Sequence, residues 1–420
     1  MNKTSWAVMA SCIVLAATMT GCGNSGSGKE AGGSETVTLR VLGYKSGEYI
    51  GNIEEVNREF EKRNPGTKVV YEGKGGPEFK ELLKARAASR ELADVVMIHP
   101  GLTSIGSYAK AGYLADLSNE PWAGDISENA KSVTTFDGKL YGLPNDLAAL
   151  GVYYNKKVFN DLGIDIPKNY DEFLAVCDKI KQSGITPIAL NKEWQIFDTY
   201  TFAPAWIYAK HPDFDEKMNS GEAKFTGLWE EMLTEYKNLY KNYASPDALG
   251  LSGDGAQNNF VTGKAAMLIN GSWAADPIKK ANPDLDFGMF PMPNKEGEVW
   301  AAAAVGTTWA INKDTKYMDL AKKYLEIWAE PEYQAVWAKS QNSFPTNLKA
   351  KSDLEPGFQP IVEAIERDQF WRFLDQGWLN PNLQTEFNNV VQNMLFDKMD
   401  ASGVTKALDA EMEKYMKQNQ

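Results

Sequence analysis

Cysteine and histidine are scarce in this sequence, whose 420 residues include three cysteines and two histidines. Cys12 and Cys22 belong to an N-terminal segment set apart by its composition, so Cys177 is left alone in the remainder and cannot form an intramolecular disulfide there. A nucleophilic role for Cys177 would need a nearby base, and the histidines offered are His99 and His211. We instead expect a buried, inert thiol, because Cys177 lies at helical spacing on an apolar stripe with Phe173, Val176 and Ile180.

Long apolar runs and an excess of positive charge are missing as well. After the first 17 residues, no segment of the sequence offers the roughly 20 apolar residues that a membrane-spanning helix needs. The 44 lysines and arginines are outnumbered by 56 acidic residues, which gives a net charge of −12. Such a surface repels phosphate backbones, so we expect no nucleic-acid partner. A charged small solute is still possible, because a local pocket can oppose the global charge.

Sequence signals for a cofactor or a metal ion are also missing. The stretch Gly73-Lys74-Gly75-Gly76 lacks the spaced Gly-Lys-Ser/Thr ending of a phosphate-binding loop. The carboxylates are scattered along the chain, as on a solvated surface. We therefore expect no cofactor and no metal site.

The N-terminal segment has the organisation of a secretory signal peptide. Lys3 supplies the positive charge, and Trp6 to Ala17 is an apolar run of the length of a signal core, too short to span a bilayer. A polar stretch rich in glycine and serine, Asn24 to Ser34, follows it and is too poor in apolar groups to fold. We expect residues 1–21 to be the signal peptide and residues 22–36 to be a flexible linker.

The residues between these two stretches, Met19-Thr20-Gly21-Cys22, resemble the lipobox of bacterial lipoproteins, with Met19 where leucine is usual. The resemblance implies cleavage before Cys22 and attachment of lipid, including palmitate, to Cys22. The mature protein would then be anchored to the outer face of the cell membrane. An ordinary secretory signal with an incidental cysteine is the alternative.

The remaining 385 or so residues can form two or three domains with well-formed cores. Apolar alternation over Val37 to Leu42 predicts a strand, and Ile53, Val56 and Phe60 mark one face of a helix. The short apolar run Asp94 to Ile98 suits a buried parallel strand. A second set of strands and helices begins near Gly151. Alternation of strands and helices at this spacing predicts an α/β fold.

Three segments carry a more specific resemblance, which covers nearly the whole chain in order. They are Tyr141 to Phe159, Gly263 to Trp273 with its Gly-Lys-x-Ala-Met-x-x-x-Gly-x-Trp pattern, and Phe290 to Lys313. They resemble the family 1 extracellular solute-binding proteins, the group that includes the maltose-binding protein. Asn145 departs from the pattern, since a hydrophobic residue is usual there.

The resemblance implies a two-lobed periplasmic-binding-protein-like fold of type II. In such proteins hinge crossings join two α/β lobes, and the solute binds in the cleft between them. On this basis residues 37–145 and 295–335 are expected to form the first lobe. Residues 146–294 and 336–420 are expected to form the second lobe.

Trp273 is the leading candidate for contact with the solute. It follows a predicted buried strand, at the carboxyl end where α/β proteins bind their ligands. In sugar-binding relatives the tryptophan at the matching position stacks on a pyranose face, because the axial C–H groups make one face of the ring apolar. A core tryptophan with a satisfied N–H is the alternative.

Further candidates lie in loops that face the cleft in relatives. His99 directly follows the Asp94 to Ile98 strand, and its neutral imidazole can donate to and accept from hydroxyls. Asn145 and Asp146 stand at the first crossing. The loop after the first strand adds Tyr44, Lys45 and Glu48. Structural roles, such as hinge turns, are the alternative for all of them.

The later part of the chain adds five candidates. Glu193, Trp194 and Gln195 follow the short strand Pro187 to Leu190 and match a cleft loop of a relative. Trp371 and Trp378 are possible second platforms, or they simply pack the C-terminal helices. Several platforms would indicate an oligosaccharide, whereas an amino acid would need a fixed arginine, for which Arg372 alone stands out.

The resemblance therefore predicts the solute-binding component of an ABC importer, anchored outside the membrane and specific for a carbohydrate. Its expected partners are the solute and the permease subunits, and it is expected to be a monomer. One alternative is a secreted glycan-active enzyme, for which Asp146 and Glu193 are a possible carboxylate pair. Another is a binding protein for a non-sugar solute, such as a peptide or a polyamine.

Overall fold

The computed structural model describes residues 36–351, 354, 356–367 and 369–419. The predicted signal peptide, Cys22 and the linker up to residue 35 lie outside the described residues. The strands are β1 (Val37–Gly43), β2 (Thr67–Gly73), β3 (Val95–Ile98), β4 (Thr135–Phe136), β5 (Lys139–Leu140), β6 (Leu143–Asn155), β7 (Thr186–Ala189), β8 (Ala265–Gly271), β9 (Phe287–Phe290), β10 (Ala301–Ile311), β11 (Phe344–Pro345) and β12 (Phe370–Trp371).

Helices alternate with these strands, as the sequence predicts. They are α1 (Ile53–Arg63), α2 (Gly76–Ala88), α3 (Ile105–Lys110), α4 (Glu128–Ser132), α5 (Lys156–Asp161), α6 (Tyr170–Gln182), α7 (Gln195–Ala203), α8 (Phe214–Ser220), α9 (Glu230–Tyr243), α10 (Gly253–Val261), α11 (Ala275–Ala281), α12 (Met318–Ala329), α13 (Pro331–Gln341), α14 (Gln359–Glu366), α15 (Leu374–Gly377), α16 (Leu383–Leu395) and α17 (Ala401–Gln418). None of those described combines the length and apolar character of a membrane span.

Two long antiparallel strands, β6 and β10, form the middle of the main sheet. The strand order is β2-β1-β3-β10-β6-β8-β7. Strands β1, β2 and β3 pair in parallel on one side, and β7 pairs in parallel with β8 on the other. Each side is thus a small parallel sheet of the kind that helices cover on both faces, and β6 and β10 join them.

The two central strands change hydrophobic core halfway along their length. Leu143 and Trp309 pack in a core with Phe60 of α1, whereas Leu150 and Ala302 pack in a core with Phe173 of α6. The change falls between Leu147 and Ala148 on β6 and between Ala304 and Val305 on β10. These residues are register partners, since Ala304 pairs with Ala148 and Val305 with Leu147.

The point of change coincides with an irregularity in the β6–β10 pairing. The register shifts between Val305 and Thr307, on either side of Gly306, and again between Thr307 and Thr308. A Cβ at Gly306 would lie 2.9 Å from the Cβ of Ala148, so only glycine fits this approach. Such a bulge bends the strand locally. It lies where both strands pass from one core to the other. The predicted boundaries between the lobes stay a prediction.

Local signals explain several of the elements. The side chain of Asn169 accepts a hydrogen bond from the backbone N–H of Glu172 and caps α6. On that helix Cys177 is fully buried, which confirms the expected burial, and burial raises the pKa of its thiol. Helix α13 ends at Gln341, and the next residue, Asn342, has a left-handed conformation that turns the chain towards β11 beside β6.

Candidate functional site

A cavity of about 1090 Å³ opens beside the crossing strands. Its lining draws on both core regions: the loops after β1 and β3 together with α2 on one side, and α7, α16 and the segments after β8 and β12 on the other. Strands β6 and β10 contribute residues next to the bulge. The cavity therefore lies where the two halves of the sheet meet.

Five of the residues predicted from the sequence line this cavity. They are Tyr44, Lys45, His99, Asp146 and Trp273. The structure brings them together from four separate stretches of the chain. Their contact with a ligand stays a prediction.

Tyr44 and His99 form one stacked surface in the cavity wall. Their ring centroids are 4.1 Å apart with an interplanar angle of 18°, and Phe79 of α2 packs edge-on against Tyr44 at 5.5 Å. The Tyr44 hydroxyl donates a hydrogen bond of 2.7 Å to the carbonyl of Gly306 at the bulge. The surrounding protein and the charges of Lys80 and Lys45 lower the pKa of His99, so its imidazole is neutral at physiological pH.

Lys45 is a partly buried cation held against two rings. Its Nζ donates to Oε1 of Gln341 at 2.8 Å and lies 6.0 Å from the Tyr44 centroid and 5.8 Å from that of Trp337. Burial lowers the pKa of Lys45 to about 8, an effect that the charge of Asp146 opposes. The ammonium group is therefore fixed in place rather than free in solvent.

Asp146 carries an unused acceptor into the cavity. The residue is 2 % exposed, and no described group hydrogen-bonds to its Oδ1. Burial raises the pKa of Asp146, while the charge of Lys45 and hydrogen bonding to Ser343 and Thr307 act in the opposite direction. Since buried polar atoms are nearly always paired, this oxygen is available to a donor on a bound molecule.

Trp273 lies on the opposite wall, in the 3₁₀ turn Ser272–Ala274 that directly follows β8. Its half-buried indole packs edge-on against Phe197 of α7, with centroids 5.8 Å apart. A Cβ on Gly271 would lie only 2.2 Å from Cη2 of the indole. The glycine of the sequence motif is thus required for this position of the Trp273 ring.

The structure adds lining residues that sequence reasoning missed. Tyr200 of α7 and Phe373 stack on each other at 6.0 Å, and both line the cavity. Burial raises the pKa of the nearby Asp375, and hydrogen bonding to Tyr200 opposes that rise. Phe373 belongs to the aromatic-rich stretch singled out from the sequence, which is a signal for that segment but not for that residue. For Phe197 and Tyr200 of α7, the only indication in the sequence was the predicted cleft loop at the start of that helix.

The candidates from that preceding loop are not among the described lining residues. Glu193 accepts a hydrogen bond of 2.8 Å from the backbone N–H of Gly253, and the indole of Trp194 packs against the same glycine. Gln195 is 2 % exposed at the first turn of α7, and its Nε2 has no described partner. Glu193 and Trp194 thus hold the segment before α7 against the start of α10.

The two C-terminal tryptophans are also elsewhere, in packing roles. Trp371 stacks on Tyr208 at 4.6 Å with an interplanar angle of 15°. Trp378 is 1 % exposed and packs against Phe225 and Phe387. Both belong to the hydrophobic packing around α8, α9 and α16 rather than to the described cavity wall.

Three other candidates are not among the described lining residues of the main cavity. Asn145 is fully buried next to Asp146, with neither amide atom paired to a described group. Glu48 falls in the 3₁₀ turn Gly47–Tyr49, but its side chain lies outside the described residues. Arg372 pairs with the buried Asp215 at 3.3 Å, and the described lining of the main cavity contains no arginine.

Neither a metal site nor the suggested carboxylate pair is found in the part of the chain that the structure describes. No group of three or more histidine, cysteine or acidic residues is arranged to hold a metal ion there. Glu193 is bound to the α10 backbone, whereas Asp146 lines the cavity. The described geometry thus gives the two carboxylates separate roles.

Several known proteins with similar sequences are sugar-binding proteins by name. The chain is 26% identical over 391 residues to a multiple sugar-binding protein of Streptococcus mutans, covering 90% of each. It is 27% identical over 409 residues to a maltooligosaccharide ABC transporter solute-binding lipoprotein of Streptococcus pneumoniae, covering 94% of this chain and 92% of that one.

The fold is also similar to solved structures of sugar-binding proteins. The solute-binding protein RafE in complex with raffinose matches 90% of this chain and 99% of its own, with a TM-score of 0.77 and 26% identity. A chitin oligosaccharide binding protein matches with a TM-score of 0.78 at 24% identity. The expected two-lobed type II fold is confirmed.

The family comparison covers most of the chain. Residues 48–335 match the family profile described as bacterial extracellular solute-binding protein. That family, like the relatives above, consists of binding proteins, which sets aside the glycan-active enzyme. With its fold, its cavity between two halves of one sheet and this match, the chain belongs to the bacterial extracellular solute-binding proteins.

Proposed function

We propose that this protein captures an oligosaccharide outside the cytoplasmic membrane and delivers it to the permease of an ABC importer. Relatives named for multiple sugars and for maltooligosaccharides support the class of solute, as does the similar structure that holds raffinose. The family supports the extracytoplasmic location. ATP hydrolysis then belongs to a separate subunit of the importer.

The observation that carries the proposal is the size and lining of the cavity. Its volume of about 1090 Å³ is slightly above the range usual for ligand sites, roughly 300–1,000 Å³. Ring faces or edges come from both walls, with Tyr44 and His99 opposite Trp273 and Tyr200. Several aromatic surfaces in one large cavity suit a chain of sugar units better than an ion or a single amino acid.

The charges of the lining favour a neutral ligand. The described lining contains as many lysines as acidic residues: Lys45, Lys80 and Lys84, and Glu81, Asp146 and Asp375. Burial disfavours the charged forms of Asp146, Asp375 and Lys45 alike. A polyamine would need an acidic excess, and a peptide carboxylate would need a fixed arginine. A polyhydroxylated ligand, in contrast, can donate to the unpaired oxygen of Asp146 and accept from lysine.

Binding then proceeds by closure of the two lobes around the sugar. Trp273 stacks on an apolar sugar face, and Asp146, His99 and Lys45 bond to hydroxyls from the other wall. The closed state is favoured by the contacts that the sugar makes only there. The closed protein docks as a monomer on the permease subunits.

Titration calorimetry with a panel of raffinose, stachyose, maltotriose, a dipeptide and spermidine tests the proposal. We expect one or more of the sugars to bind with a dissociation constant near micromolar, about −8 kcal/mol. The sugar should be recovered unaltered after incubation. Binding of the dipeptide or spermidine, with no heat from any sugar, would refute the carbohydrate assignment.

The anchor is tested separately. We propose that lipid on Cys22 tethers the mature protein to the membrane, in line with the lipoprotein name of the pneumococcal relative. The Cys22→Ala variant should move from the membrane fraction to the medium, while Cys177→Ala should stay with the membrane. Identical fractionation of the Cys22→Ala variant and the wild-type protein would contradict the anchor.

A further inference from the structure

Helix α15 contacts the opposite half of the molecule through Gln376. The Nε2 of Gln376 donates a hydrogen bond of 2.9 Å to the carbonyl of Val305, whose side chain packs in the first-lobe core just past the point of change. The Cα of Gln376 also lies 3.1 Å from the position that a Cβ on Gly101 would take, in the loop after β3. Two separate parts of the first lobe therefore meet this one residue.

On its own side, α15 is held firmly to the second lobe. The backbone N–H of Asp375 donates to the Tyr200 hydroxyl at 3.3 Å, and Nδ2 of Asn219 donates to the carbonyl of Gly377 at 2.8 Å. A Cβ at Gly377 would lie 2.2 Å from Oδ2 of the buried Asp215. These contacts make α15 a fixed part of the second-lobe wall.

The amide orientation of Gln376 follows from its partner. A carbonyl can only accept, so Nε2 must face Val305 and Oε1 is directed away from it. Gln376 is 6 % exposed, and its Oε1 has no described partner. The residue lines the main cavity and also a second cavity of about 460 Å³, which lies beside Gly101 and Arg372.

We propose that Gln376 is a positioning residue that couples closure of the lobes to binding of the sugar. Its Nε2 holds the second-lobe wall on strand β10, and its Oε1 accepts a hydrogen bond from a ligand hydroxyl. The ligand contact rests on the proposed function. The contact between the lobes does not, because both of its partners, Nε2 of Gln376 and the carbonyl of Val305, belong to the protein.

Small-angle scattering of the ligand-free protein tests the contact between the lobes. Gln376→Leu removes the hydrogen bond to Val305, and Gly101→Ala places a methyl group against the Gln376 backbone. Gly101 has a φ of +99°, so the matched control is Gly184→Ala, at a φ of +86° with no heavy atom within 4 Å of the added Cβ. We expect a larger radius of gyration for the first two variants and the wild-type value for the control.

Sugar dissociation, followed by stopped-flow tryptophan fluorescence with raffinose and maltotriose, tests the coupling. Loss of one buried hydrogen bond should speed dissociation from Gln376→Leu about tenfold. The same rate as the wild-type protein would overturn the ligand contact. Unchanged scattering of both Gln376→Leu and Gly101→Ala would overturn the positioning role. Altered scattering without binding of any sugar would support that role and refute the proposed function instead.

Discussion

The two walls of the cavity are built from different kinds of residue on different kinds of element. The first wall, here called the polar wall, carries lysine and histidine beside its rings, and Tyr44, Lys45 and His99 come from loops that directly follow strands β1 and β3. The second wall, here called the aromatic wall, has no lysine or histidine among its described lining residues, and its Phe197 and Tyr200 come from the side of a helix. A polar wall fixes the orientation of hydroxyls, whereas an aromatic wall supplies buried area. Mutations in the two walls should therefore affect sugar binding in different ways.

The largest effect is expected at Trp273, on the aromatic wall. Trp273→Ala removes the indole that packs on Phe197, and tryptophans in such central positions commonly cost 2 kcal/mol or more on truncation. We expect at least a thirtyfold loss of affinity for the sugar that the calorimetric panel identifies. The half-exposed Trp300, which is not among the described lining residues, is the control when replaced by alanine.

A second variant separates loss of the indole from its displacement. Gly271→Ala puts a methyl group where the Trp273 ring now lies, so the ring must move while its surface remains. Its affinity should fall, but less than that of Trp273→Ala. Equal affinities of the wild-type protein, Gly271→Ala and Trp273→Ala would exclude this indole from the site.

A smaller and more selective effect is expected on the polar wall. Asp146→Asn keeps the shape of the side chain but removes the charge that faces Lys45 and one strong acceptor. We expect about a tenfold loss of affinity, concentrated on sugars that place a hydroxyl at this oxygen, as deoxy analogues would show. If every sugar lost affinity equally, the wall would act through closure and not through recognition of hydroxyls.

The same contrast explains what the sequence could reveal. The alternating pattern predicts an α/β fold, because strand periodicity is a local property, and the resemblance carried by the three segments adds the two lobes and their crossings. Tyr44, His99 and Trp273 could be singled out because each follows the carboxyl end of a strand, and all three line the cavity.

The lining residues of the second wall were harder to predict from the sequence, because their positions depend on tertiary packing. Phe373 and Trp378 lie in one aromatic stretch with similar local patterns. Phe373 reaches the cavity by stacking on Tyr200, while Trp378 is enclosed between Phe225 and Phe387. No periodicity distinguishes these outcomes. Contacts with Tyr200 of α7, with Phe225 and with Phe387 of α16 decide them, and Tyr200 and Phe225 are far away in sequence.

The smallest expected effect concerns stability of the second wall rather than binding. Asp198 lies on α7 between Phe197 and Tyr200, is 1 % exposed and accepts a hydrogen bond of 2.7 Å from the Tyr236 hydroxyl. Burial raises the pKa of Asp198 to about 8, against the opposing effect of that hydrogen bond. The helix that carries the aromatic wall therefore contains a carboxyl group that the fold keeps protonated at neutral pH.

The sign of the pH dependence follows from this raised pKa. Below the unfolded-state pKa, near 3.9, both states are protonated and the contribution to stability is complete. As the pH rises towards 8, the unfolded state ionises first, so the free energy of unfolding falls through this range. Asp198→Asn cannot ionise, and its amide oxygen can still accept from Tyr236. Its melting temperature relative to the wild-type protein should therefore increase by a few degrees between pH 5 and pH 8, in thermal unfolding followed by circular dichroism. A difference in melting temperature that stayed constant over this range would show that Asp198 is already ionised in the folded protein, and the packing of α7 would then have to tolerate a buried charge.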